Sequence, residues 1–594
     1  MCGIAGLVRL ERNAAPPPAS ELGRISAALA RRGPDGEGEW RSPTGGAALA
    51  HRRLAILDPS PAGAQPMATR DGRFVLVFNG EIYDFRRHRE ALDREGVELA
   101  TASDTEVLLH LVARRGPAVL SSLRGMYAFA LWDEREGELV LARDPYGIRP
   151  LYYAIGGGWL RFASQVRALE AGGAIPDEVD RKAVAGFLCW GAVPEPRTIR
   201  RAVRSLPAGH VLRASVDGGV RIEATPFRRA VEEPADFGAA VVDSIRDHLV
   251  SDVPVAVFLS AGLDSSLIAA VARRELAEPP TALTLAIAET RGTPADEVPL
   301  ACATAARLGL PHVVREVGAA DVRALLPEIL TAMDQPSIDG FNTFLIARLA
   351  RESGFKVALS GLGGDELLGG YASFRDVPGW QRRARALGRL PGLAALWPSL
   401  ARLAAPAKPK LAGLLEHGRS IAGAYFLRRG LHLPRELGAN GYDPVLDAWE
   451  AMGESILGAV SGLLEDPWHA VHRLESNVYL RRQLLRDADW AGLGQGVEIR
   501  VPLVDARLRL VAEAAGFEPA RSGGKAALVR ALAPELPASL FGRAKTGFQL
   551  PIGQWLEPDA GSTVRRVGSQ SRKVARIVLS CFDVDAEQYL RGSR

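Results

Sequence analysis

Short apolar stretches separated by turns dominate the first 205 residues or so of the chain. Four of these stretches are rich in β-branched, aromatic and small apolar residues and predict strands, at 74–78, 127–132, 139–142 and 150–153. Two helices are predicted between them, near 21–30 and 105–115, and a last hairpin is predicted at 206–210. This part is therefore expected to be rich in β structure, with few helices.

From about residue 235 the pattern changes to an alternation of strands and helices. Apolar strands are predicted at 255–259, 281–287, 312–317 and 355–359, with helices from about 265 and at 297–308. Such alternation is typical of a parallel sheet that carries helices on its faces and binds ligands at the carboxyl ends of its strands. The stretch 375–410 predicts linking helices without a site. Because 594 residues exceed one ordinary core, two domains are predicted, at 1–210 and 235–594.

Composition and charge narrow the class of protein. Apolar residues make up 47% and charged residues 24%, which is typical of a soluble globular enzyme. The formal net charge of +4 gives no support to a nucleic-acid or membrane partner. The four cysteines are too far apart for a disulfide framework or a zinc cluster. We recognise neither a secretory signal nor a membrane-spanning segment, so a cytoplasmic location is expected.

Cys2 directly follows the initiator methionine. Removal of Met1 would leave a thiol and a free α-amine on one residue, and an α-amine with a pKa of about 7.7–8.0 accepts a proton near neutral pH. Cys2 is therefore a candidate nucleophile that carries its own base. The alternative is a small buried hydrophobe, which is what most lone cysteines are.

The pair at residues 79–80, Arg53 and Asp104 are of types suited to bind an amino acid or to stabilise a reaction on it. Asn79 and Gly80 follow an apolar strand and could supply the donors of an oxyanion hole. Arg53 suits an α-carboxylate through a bidentate contact, and Asp104 suits an α-ammonium. The alternatives are a hairpin turn at residues 79–80, a solvated charge at Arg53 and a helix N-cap at Asp104.

Two loops in the second half each follow an apolar strand. The loop 260–266 is rich in Ser and Gly and precedes a helix, which suits phosphate binding, and its Asp264 could hold Mg²⁺. Asp365, in the loop 360–366, would be a second carboxylate at the same sheet edge. Lys545 is one of only seven lysines among 73 basic residues, and its compact ammonium suits a phosphate. The alternatives are a helix-capping turn, a solvated loop carboxylate and a surface lysine.

Six motifs of the first half, taken in order, resemble the glutaminase domain of class II glutamine amidotransferases. They are Met-Cys-Gly-Ile at 1–4, Arg-Gly-Pro-Asp at 32–35, His-Arg-Arg-Leu at 51–54, Gly-Ala-Gln-Pro at 63–66, Asn-Gly-Glu-Ile-Tyr at 79–83 and Arg-Asp-Pro-Tyr-Gly at 143–147. The resemblance implies an αββα fold of the Ntn-hydrolase type. It also implies a catalytic set and a glutamine-binding set, which are Cys2 with Asn79 and Gly80, and Arg53 with Glu81 and Asp104. Gln165 departs from the Glu usual in relatives, which puts the domain contacts in question.

The loops 260–266 and 360–366, the Gly-Tyr pair at 370–371, the segment 497–505 and the segment 543–548 resemble the synthetase domain of the asparagine synthetase family. The resemblance implies a parallel-sheet α/β ATP pyrophosphatase domain of the adenine nucleotide alpha hydrolase type. It implies Mg²⁺ at Asp264 and Asp365 and help in adenylation from Lys545. The implied ATP-binding residues are Leu259, Ser260, Gly262, Asp264, Ser265, Ser266, Ile287, Ser360 and Gly361. Ala261 stands where Gly is usual, a mild change provided that its φ is negative.

The resemblance as a whole implies that glutamine is hydrolysed, that ammonia passes through an internal tunnel, and that it amidates a carboxylate adenylated by ATP. Aspartate is the expected acceptor. Leu362 stands where asparagine-forming relatives commonly carry an acidic residue, so a carboxylate on a sugar, a peptide or a natural-product intermediate is the alternative. A homodimer is left open.

Three other classes of protein fit less well. A sugar-phosphate amidotransferase is disfavoured by the loop 260–266, which such an enzyme does not need. A β-lactam-forming synthetase is disfavoured by Cys2, Asn79 and Asp104, because it does not hydrolyse glutamine. A non-catalytic scaffold would have no reason to keep both sets of residues.

Overall fold

The computed structural model describes residues 2–225, 236–404, 409–438, 441–453, 466–514, 524–543, 550–556 and 567–590. The strands, in chain order, are β1 (Gly3–Arg9), β2 (Gly36–Arg41), β3 (Ala47–Arg53), β4 (Met67–Ala68), β5 (Phe74–Ile82), β6 (Gly125–Asp133), β7 (Glu138–Arg143), β8 (Tyr152–Gly156), β9 (Trp159–Ala163), β10 (Val203–Ser205), β11 (His210–Ser215), β12 (Gly219–Ala224), β13 (Val255–Phe258), β14 (Thr281–Ile287), β15 (His312–Val317), β16 (Val357–Leu359) and β17 (Glu498–Arg500).

Helices lie between and after these strands. The helices, in chain order, are α1 (Glu21–Ala28), α2 (Phe85–Arg94), α3 (Asp104–Arg115), α4 (Val166–Ala171), α5 (Arg181–Trp190), α6 (Phe237–His248), α7 (Leu263–Glu275), α8 (Val298–Leu308), α9 (Ala319–Ala332), α10 (Phe341–Glu352), α11 (Gly364–Leu368), α12 (Ser373–Leu387), α13 (Leu393–Ala404), α14 (Leu414–His417), α15 (Ile421–Arg429), α16 (Pro444–Gly453), α17 (Pro467–Leu474), α18 (Leu485–Leu493), α19 (Ala506–Ala514), α20 (Gly524–Leu532), α21 (Ile552–Trp555) and α22 (Val567–Ser580). A π-helical segment, Glu475–Leu484, joins α17 to α18.

Two six-stranded antiparallel sheets form the first half. Their strand orders are β10-β8-β9-β1-β3-β2 and β12-β11-β7-β6-β5-β4. Ile4, Val77 and Phe162 belong to the apolar core between the two sheets, while the helices α1 and α4 cover one outer face and α2 and α3 cover the other. Because the central strands are buried on both faces, they are apolar along their length. The layers confirm the expected αββα architecture.

A five-stranded sheet forms the centre of the second half, in the order β15-β14-β13-β16-β17. All of its strand pairs are parallel. Helices pack on both of its faces, with α7 and α8 in one apolar cluster and α10 and α18 in another. The parallel α/β fold is therefore confirmed. Helices α12 and α13 occupy the stretch predicted as linking helices.

The hairpin expected at 206–210 instead lies farther along the chain. Strands β11 and β12 pair through residues 210–224 and extend the second sheet to Ala224. In the part of the chain that the structure describes, every helix is too short or too polar to cross a membrane.

Candidate active sites

Cys2 lies at the start of β1, with only 8% of its surface exposed. Its backbone N–H donates to Asn79 Oδ1 at 3.0 Å, and burial raises the pKa of its thiol. Asn79 is fully buried on β5, and among the described residues its Nδ2 has no hydrogen-bond acceptor. A buried amide without an acceptor carries a desolvation cost, which a negatively charged oxygen beside Cys2 would remove.

Asn79 and Gly80 are not a hairpin turn. Both lie inside β5 and pair with Ala128 and Tyr127 of β6. A Cβ on residue 80 would overlap the carbonyl oxygen of Met126 and lie 2.7 Å from the Cα of Tyr127. Glycine is therefore required here because two backbones approach closely, and not because of a turn.

Asp104 is the first residue of α3, whose N-cap is Ser103, so the N-cap alternative is wrong. Asp104 Oδ2 accepts a hydrogen bond from the N–H of Ile82 at 3.0 Å, which holds it next to Glu81 at the end of β5. Burial, with a further contribution from Glu498, raises the pKa of Asp104 to about 6. Among the described residues, Oε1 of the buried Glu81 accepts no hydrogen bond. These carboxylates suit an ammonium group.

Arg53 is partly buried and is held by the loop that follows β3. Its Nη1 donates to the carbonyl oxygen of Ser60 at 2.8 Å, and its Nη2 donates to that of Asp58. Its charge also lowers the pKa of the Cys2 thiol, although burial has the larger, opposite effect. Arg53 is therefore not a solvated charge, and its guanidinium lies near the nucleophile.

The pKa of Asp104 leads to a prediction about pH. A carboxyl group with a pKa of about 6 is ionised above that pH and becomes neutral below it. If Asp104 binds the α-ammonium of glutamine, the KM of glutamine hydrolysis should rise as pH falls through about 6, while kcat changes less. Steady-state glutaminase assays across this range measure both constants.

The variant Asp104→Asn should raise KM and remove this part of the pH dependence. Asp93→Asn, on the exposed side of α2, is the matched control and should keep the wild-type profile. A KM profile that is the same in wild type and Asp104→Asn would show that Asp104 does not bind the ammonium.

The second half of the chain contributes two buried residues, Glu498 and Arg500, to the surroundings of Glu81. Arg500, on β17, forms an ion pair with Glu81 and donates from Nε to Glu498 Oε1 at 2.6 Å. Burial raises the pKa of Glu498, but Arg500, the α-amino group of the chain and Arg149 together outweigh this and bring the pKa to about 2. The segment 497–505 carries the family resemblance, but the sequence gives no role to Glu498 or Arg500. No residue near them in the chain indicates that they contact Glu81.

Arg32 connects Cys2 to the second half of the chain. Its Nε donates to the carbonyl oxygen of Cys2 at 3.3 Å, and its Nη atoms donate to both carboxylate oxygens of Asp489 on α18, at 2.7 and 3.1 Å. Arg32 and Asp489 are almost fully buried. Removing one member of a buried ion pair costs about 3–5 kcal/mol, so this contact fixes the position of Cys2 strongly.

Gln165, which stands where relatives usually carry Glu, lies at another contact between the two halves of the chain. Gln165 is the N-cap residue of α4 by position, but its side chain does not cap the helix. Asp334 accepts instead, from the N–H groups of Val166 and Arg167 at 3.1 and 3.0 Å. The carboxylate that caps α4 is therefore supplied by the second half of the chain.

The loops 260–266 and 360–366 lie side by side because β13 and β16 pair in parallel, with Val257 opposite Leu359. Ser260 Oγ accepts from the N–H of Gly262 at 3.1 Å and lies 3.0 Å from Ser265 Oγ. The non-glycine residues with positive φ in the described chain are Asp58, Asp217 and Asp583. Ala261 therefore does not have a positive φ, and its replacement of the usual Gly is a mild change.

Asp264 and Asp365 meet at a lysine that sequence analysis missed. Lys525 Nζ, on α20, donates to Asp365 Oδ1 at 2.8 Å and also to Asp264. Burial lowers the pKa of Lys525, but the two carboxylates outweigh it and raise the pKa to about 12. The rarity of lysine in this chain was the available signal.

The two carboxylates fit the Mg²⁺ implied by the resemblance. They contact one ammonium, so a single cation can reach both. Mg²⁺ is commonly held by one or two carboxylates together with substrate phosphates, so a larger protein cage is not required. In the described residues there is no group of three or more His, Cys, Asp or Glu side chains suited to a metal.

A cavity of about 2510 Å³ opens at this edge of the sheet. It is lined by seven of the nine predicted nucleotide-binding residues, Leu259, Ser260, Gly262, Asp264, Ser265, Ser360 and Gly361, and by Asp365, which was predicted as a Mg²⁺ ligand. Ser266 and Ile287 are not among the described residues that line it. Lys545 lies outside the described residues. Leu362, Glu366 and Lys525 also line the cavity.

Glu366 is a buried carboxyl group in the wall next to Leu362. Its Oε1 accepts from the Tyr371 hydroxyl at 2.9 Å, and among the described residues its Oε2 accepts no hydrogen bond. Burial, helped by Asp365 and Glu475, raises the pKa of Glu366 to about 7. An acidic group is thus present beside the position at which Leu362 lacks one.

Comparison with known proteins finds a family model that matches each half of the chain. Residues 1–224 match the family model of the glutamine amidotransferase domain, and residues 236–588 match that of asparagine synthase. Asparagine synthetase [glutamine-hydrolyzing] 1 of Bacillus subtilis is 30% identical, over 97% of this chain and 91% of that protein. Asparagine synthetase B of Escherichia coli is 34% identical, over 64% of this chain and 66% of that protein.

A fungal relative carries a different name. The protein named amidase chry2, of Gibberella zeae, is 31% identical, over 58% of this chain and 54% of that protein. Because the asparagine synthase model alone matches more than half of the residues, and the Bacillus subtilis relative is matched along nearly its whole length, the chain belongs to the family of glutamine-hydrolysing asparagine synthetases.

Proposed function

We propose that this enzyme makes asparagine, by transferring ammonia from glutamine to the side-chain carboxylate of aspartate at the expense of ATP. The observation that carries the proposal is that the Cys2 site and the Asp264–Asp365 site occur in one chain and share structural elements. On α18, Asp489 contacts Arg32 beside Cys2, and Asp487, two residues earlier, lines the synthetase cavity. Expected products are asparagine, glutamate, AMP and pyrophosphate.

In the glutaminase half-reaction, Cys2 Sγ attacks the side-chain amide carbon of glutamine. The α-amine that is free after removal of Met1 takes the thiol proton and passes a proton to the leaving ammonia. Asn79 Nδ2 and the Gly80 N–H donate to the oxyanion that forms. Water then attacks the thioester and releases glutamate. Glutamine itself is held by Arg53 at its carboxylate and by Glu81 and Asp104 at its ammonium.

In the synthetase half-reaction, the acceptor carboxylate attacks the α-phosphate of ATP, which forms an acyl-adenylate and releases pyrophosphate. Ammonia then attacks the acyl carbon and AMP leaves. The loop 260–266 donates N–H and hydroxyl groups to the phosphates. Asp264 and Asp365 would hold Mg²⁺, which neutralises phosphate charge when bound. Lys525 supplies a further positive charge, and Lys545 is proposed to assist adenylation.

The identity of the acceptor is tested at Leu362. An acidic residue there would orient the attacking groups or take a proton from ammonia, and leucine does neither. We therefore expect slow aspartate-dependent release of pyrophosphate in wild type. Leu362→Glu should accelerate it by on the order of 10²-fold, the usual contribution of a positioned acid or base. Coupled pyrophosphate assays and mass detection of asparagine measure both.

The matched control is Leu362→Gln, which has the same length but no charge and should not accelerate the reaction. Release of ADP and orthophosphate would contradict the proposed chemistry altogether. Absence of aspartate-dependent pyrophosphate release from both wild type and Leu362→Glu would contradict aspartate as the acceptor, although glutamine hydrolysis continues.

A second candidate is the same chemistry on another carboxylate, on a sugar, a peptide or a natural-product intermediate. Two observations favour it. The cavity of about 2510 Å³ exceeds the roughly 300–1,000 Å³ of ordinary small-molecule sites. Leu362 also gives its wall an apolar position near the reacting atoms. Incubating the enzyme with ATP, glutamine and candidate acids, and weighing the products, distinguishes the acceptors.

A further inference from the structure

The chain between Asp376 and Glu416 contains no acidic residue. It contains seven basic ones: Arg382, Arg383, Arg385, Arg389, Arg402, Lys408 and Lys410. This segment thus carries more positive charge than the formal +4 of the whole chain. The small net charge, on which the expectation of no membrane partner rested, therefore does not describe this surface.

Helix α13 presents an apolar stripe that the described residues of the protein leave exposed. Leu396, Leu400 and Leu403 follow one another at helical spacing and are 64%, 48% and 84% exposed. Leu390, in the turn before α13, is 55% exposed. On another side of the helix, Trp397 Nε1 donates to the carbonyl oxygen of Leu411 at 2.8 Å, which holds α13 against the chain. The leucines therefore face away from the protein.

Three arginines of this segment are available to a partner. Arg382 on α12, Arg389 in the turn and Arg402 on α13 are all exposed. None of the three has a hydrogen bond or an ion pair to any residue in the described ranges of the chain. Elsewhere many exposed arginines are paired, as Arg246 is with Glu275 and Arg201 with Glu178.

We propose that the basic segment formed by α12, α13 and the turn between them docks on an anionic lipid surface. An amphipathic helix with leucines on one face and arginines around it lies in the plane of a membrane interface, with its apolar face among the acyl chains. The basic residues are attracted by acidic headgroups. The inference does not depend on the proposed acceptor.

Two other occupants of this face fit the charges less well. A symmetric contact with a second copy would bring two basic, acid-free surfaces together, and like charges repel each other. A nucleic acid would satisfy the arginines but would leave the exposed leucines without an apolar partner. An acidic membrane surface satisfies both groups at once.

Docking would also place the synthetase cavity near the lipid. Arg375, Trp380 and Arg383 of α12 line that cavity. Helix α12 is therefore both a part of this basic segment and one wall of the cavity, so a docked enzyme would have this wall next to the headgroups.

The test uses the full-length protein and vesicle flotation. We expect the protein to float with vesicles of phosphatidylcholine and phosphatidylglycerol in equal parts, not to float with phosphatidylcholine alone, and to be released by high salt. The triple variant Arg382→Gln, Arg389→Gln, Arg402→Gln should weaken binding by roughly fivefold per arginine, on the order of 100-fold in total. The triple variant Leu396→Ser, Leu400→Ser, Leu403→Ser should also lose binding, because no apolar face is left to insert.

Matched controls change exposed residues elsewhere on the surface. The control for the arginine variant is the triple variant Arg31→Gln, Arg86→Gln, Arg221→Gln, and the control for the leucine variant is the double variant Ile155→Ser, Ile222→Ser. All variants should keep wild-type glutamine hydrolysis, which reports that the fold is intact. Absence of flotation, or equal loss in the controls, would overturn the proposal. Concentration-dependent dimers that require the three leucines, without flotation, would assign the face to a second copy. Arginine-dependent binding to DNA or RNA without flotation would assign it to nucleic acid.

Discussion

Replacing Cys2 by alanine should abolish glutamine-dependent amide formation, by roughly 10⁴-fold or more, because the nucleophile is lost. Synthesis from added ammonium salts should survive, because Asp264, Asp365 and Lys525 form the synthetase site and are not changed. Glutamate release measures the first activity, and pyrophosphate release with ammonium chloride measures the second. The separation of the two activities is the expected signature of two sites in one chain.

The control for Cys2→Ala is Cys302→Ala, which removes an exposed thiol from α8 and should leave both activities at the wild-type rate. Alanine at position 2 keeps the nitrogen that donates to Asn79 Oδ1, so Asn79 should keep its position. A Cys2→Ala enzyme that still consumes glutamine at the normal rate would show that the nucleophile lies elsewhere.

Replacing Lys525 by alanine should suppress ATP–pyrophosphate exchange by about 10²–10³-fold, the usual effect of removing one group that stabilises charge in the transition state. Two partly buried carboxylates, Asp264 and Asp365, would then face each other without the ammonium that both contact. The expected product of the residual reaction is still AMP. Isotope exchange between pyrophosphate and ATP measures the effect directly.

Loss of a buried partner can also unfold a protein, at a cost of about 3–5 kcal/mol. Glutamine hydrolysis reports whether the Lys525→Ala protein is folded. Arg32 joins Cys2 to Asp489 of the second half, so the Cys2 site needs that half to be folded. Lys525→Arg, which keeps the charge but not the compact ammonium, should restore the activity only in part. The control for loss of a lysine is Lys182→Ala, because Lys182 is exposed at the start of α5. Exchange at the wild-type rate in a folded Lys525→Ala protein would remove Lys525 from the phosphate site.

Sequence analysis found buried strands such as β6 and also the largely exposed β15, and it missed the buried β1 and β9. The predicted 74–78, 127–132 and 255–259 all fall within strands or within one residue of their ends. The short β17 was missed, because three residues with two charges do not resemble a buried strand. Its Glu498 and Arg500 are stable inside the protein only because each neutralises the other and because Glu81 comes from the first half.

The alternatives at the candidate site could not be separated by sequence alone. An Asn-Gly pair is typical of a hairpin turn, and only the pairing of β5 with β6 shows that residues 79 and 80 lie within a strand. Asp104 resembles a helix N-cap, and only the hydrogen bond from the Ile82 N–H shows that its carboxylate is turned toward Glu81. Local preference decides which conformations are accessible, and long-range packing selects one of them.

The sequence by itself determined the order of the elements, the two phosphate-type loops and the residue types available for chemistry. These features depend on residues a few positions apart, whose hydrogen bonds and apolar periodicity act locally. Only the tertiary structure decided that Lys525 lies between Asp264 and Asp365, that Arg32 joins Cys2 to Asp489, and that Arg500 contacts Glu81. Each of these contacts joins residues more than a hundred positions apart and is a buried charge pair. Such pairs form only after the surrounding apolar surfaces have packed and excluded water, which no local pattern specifies.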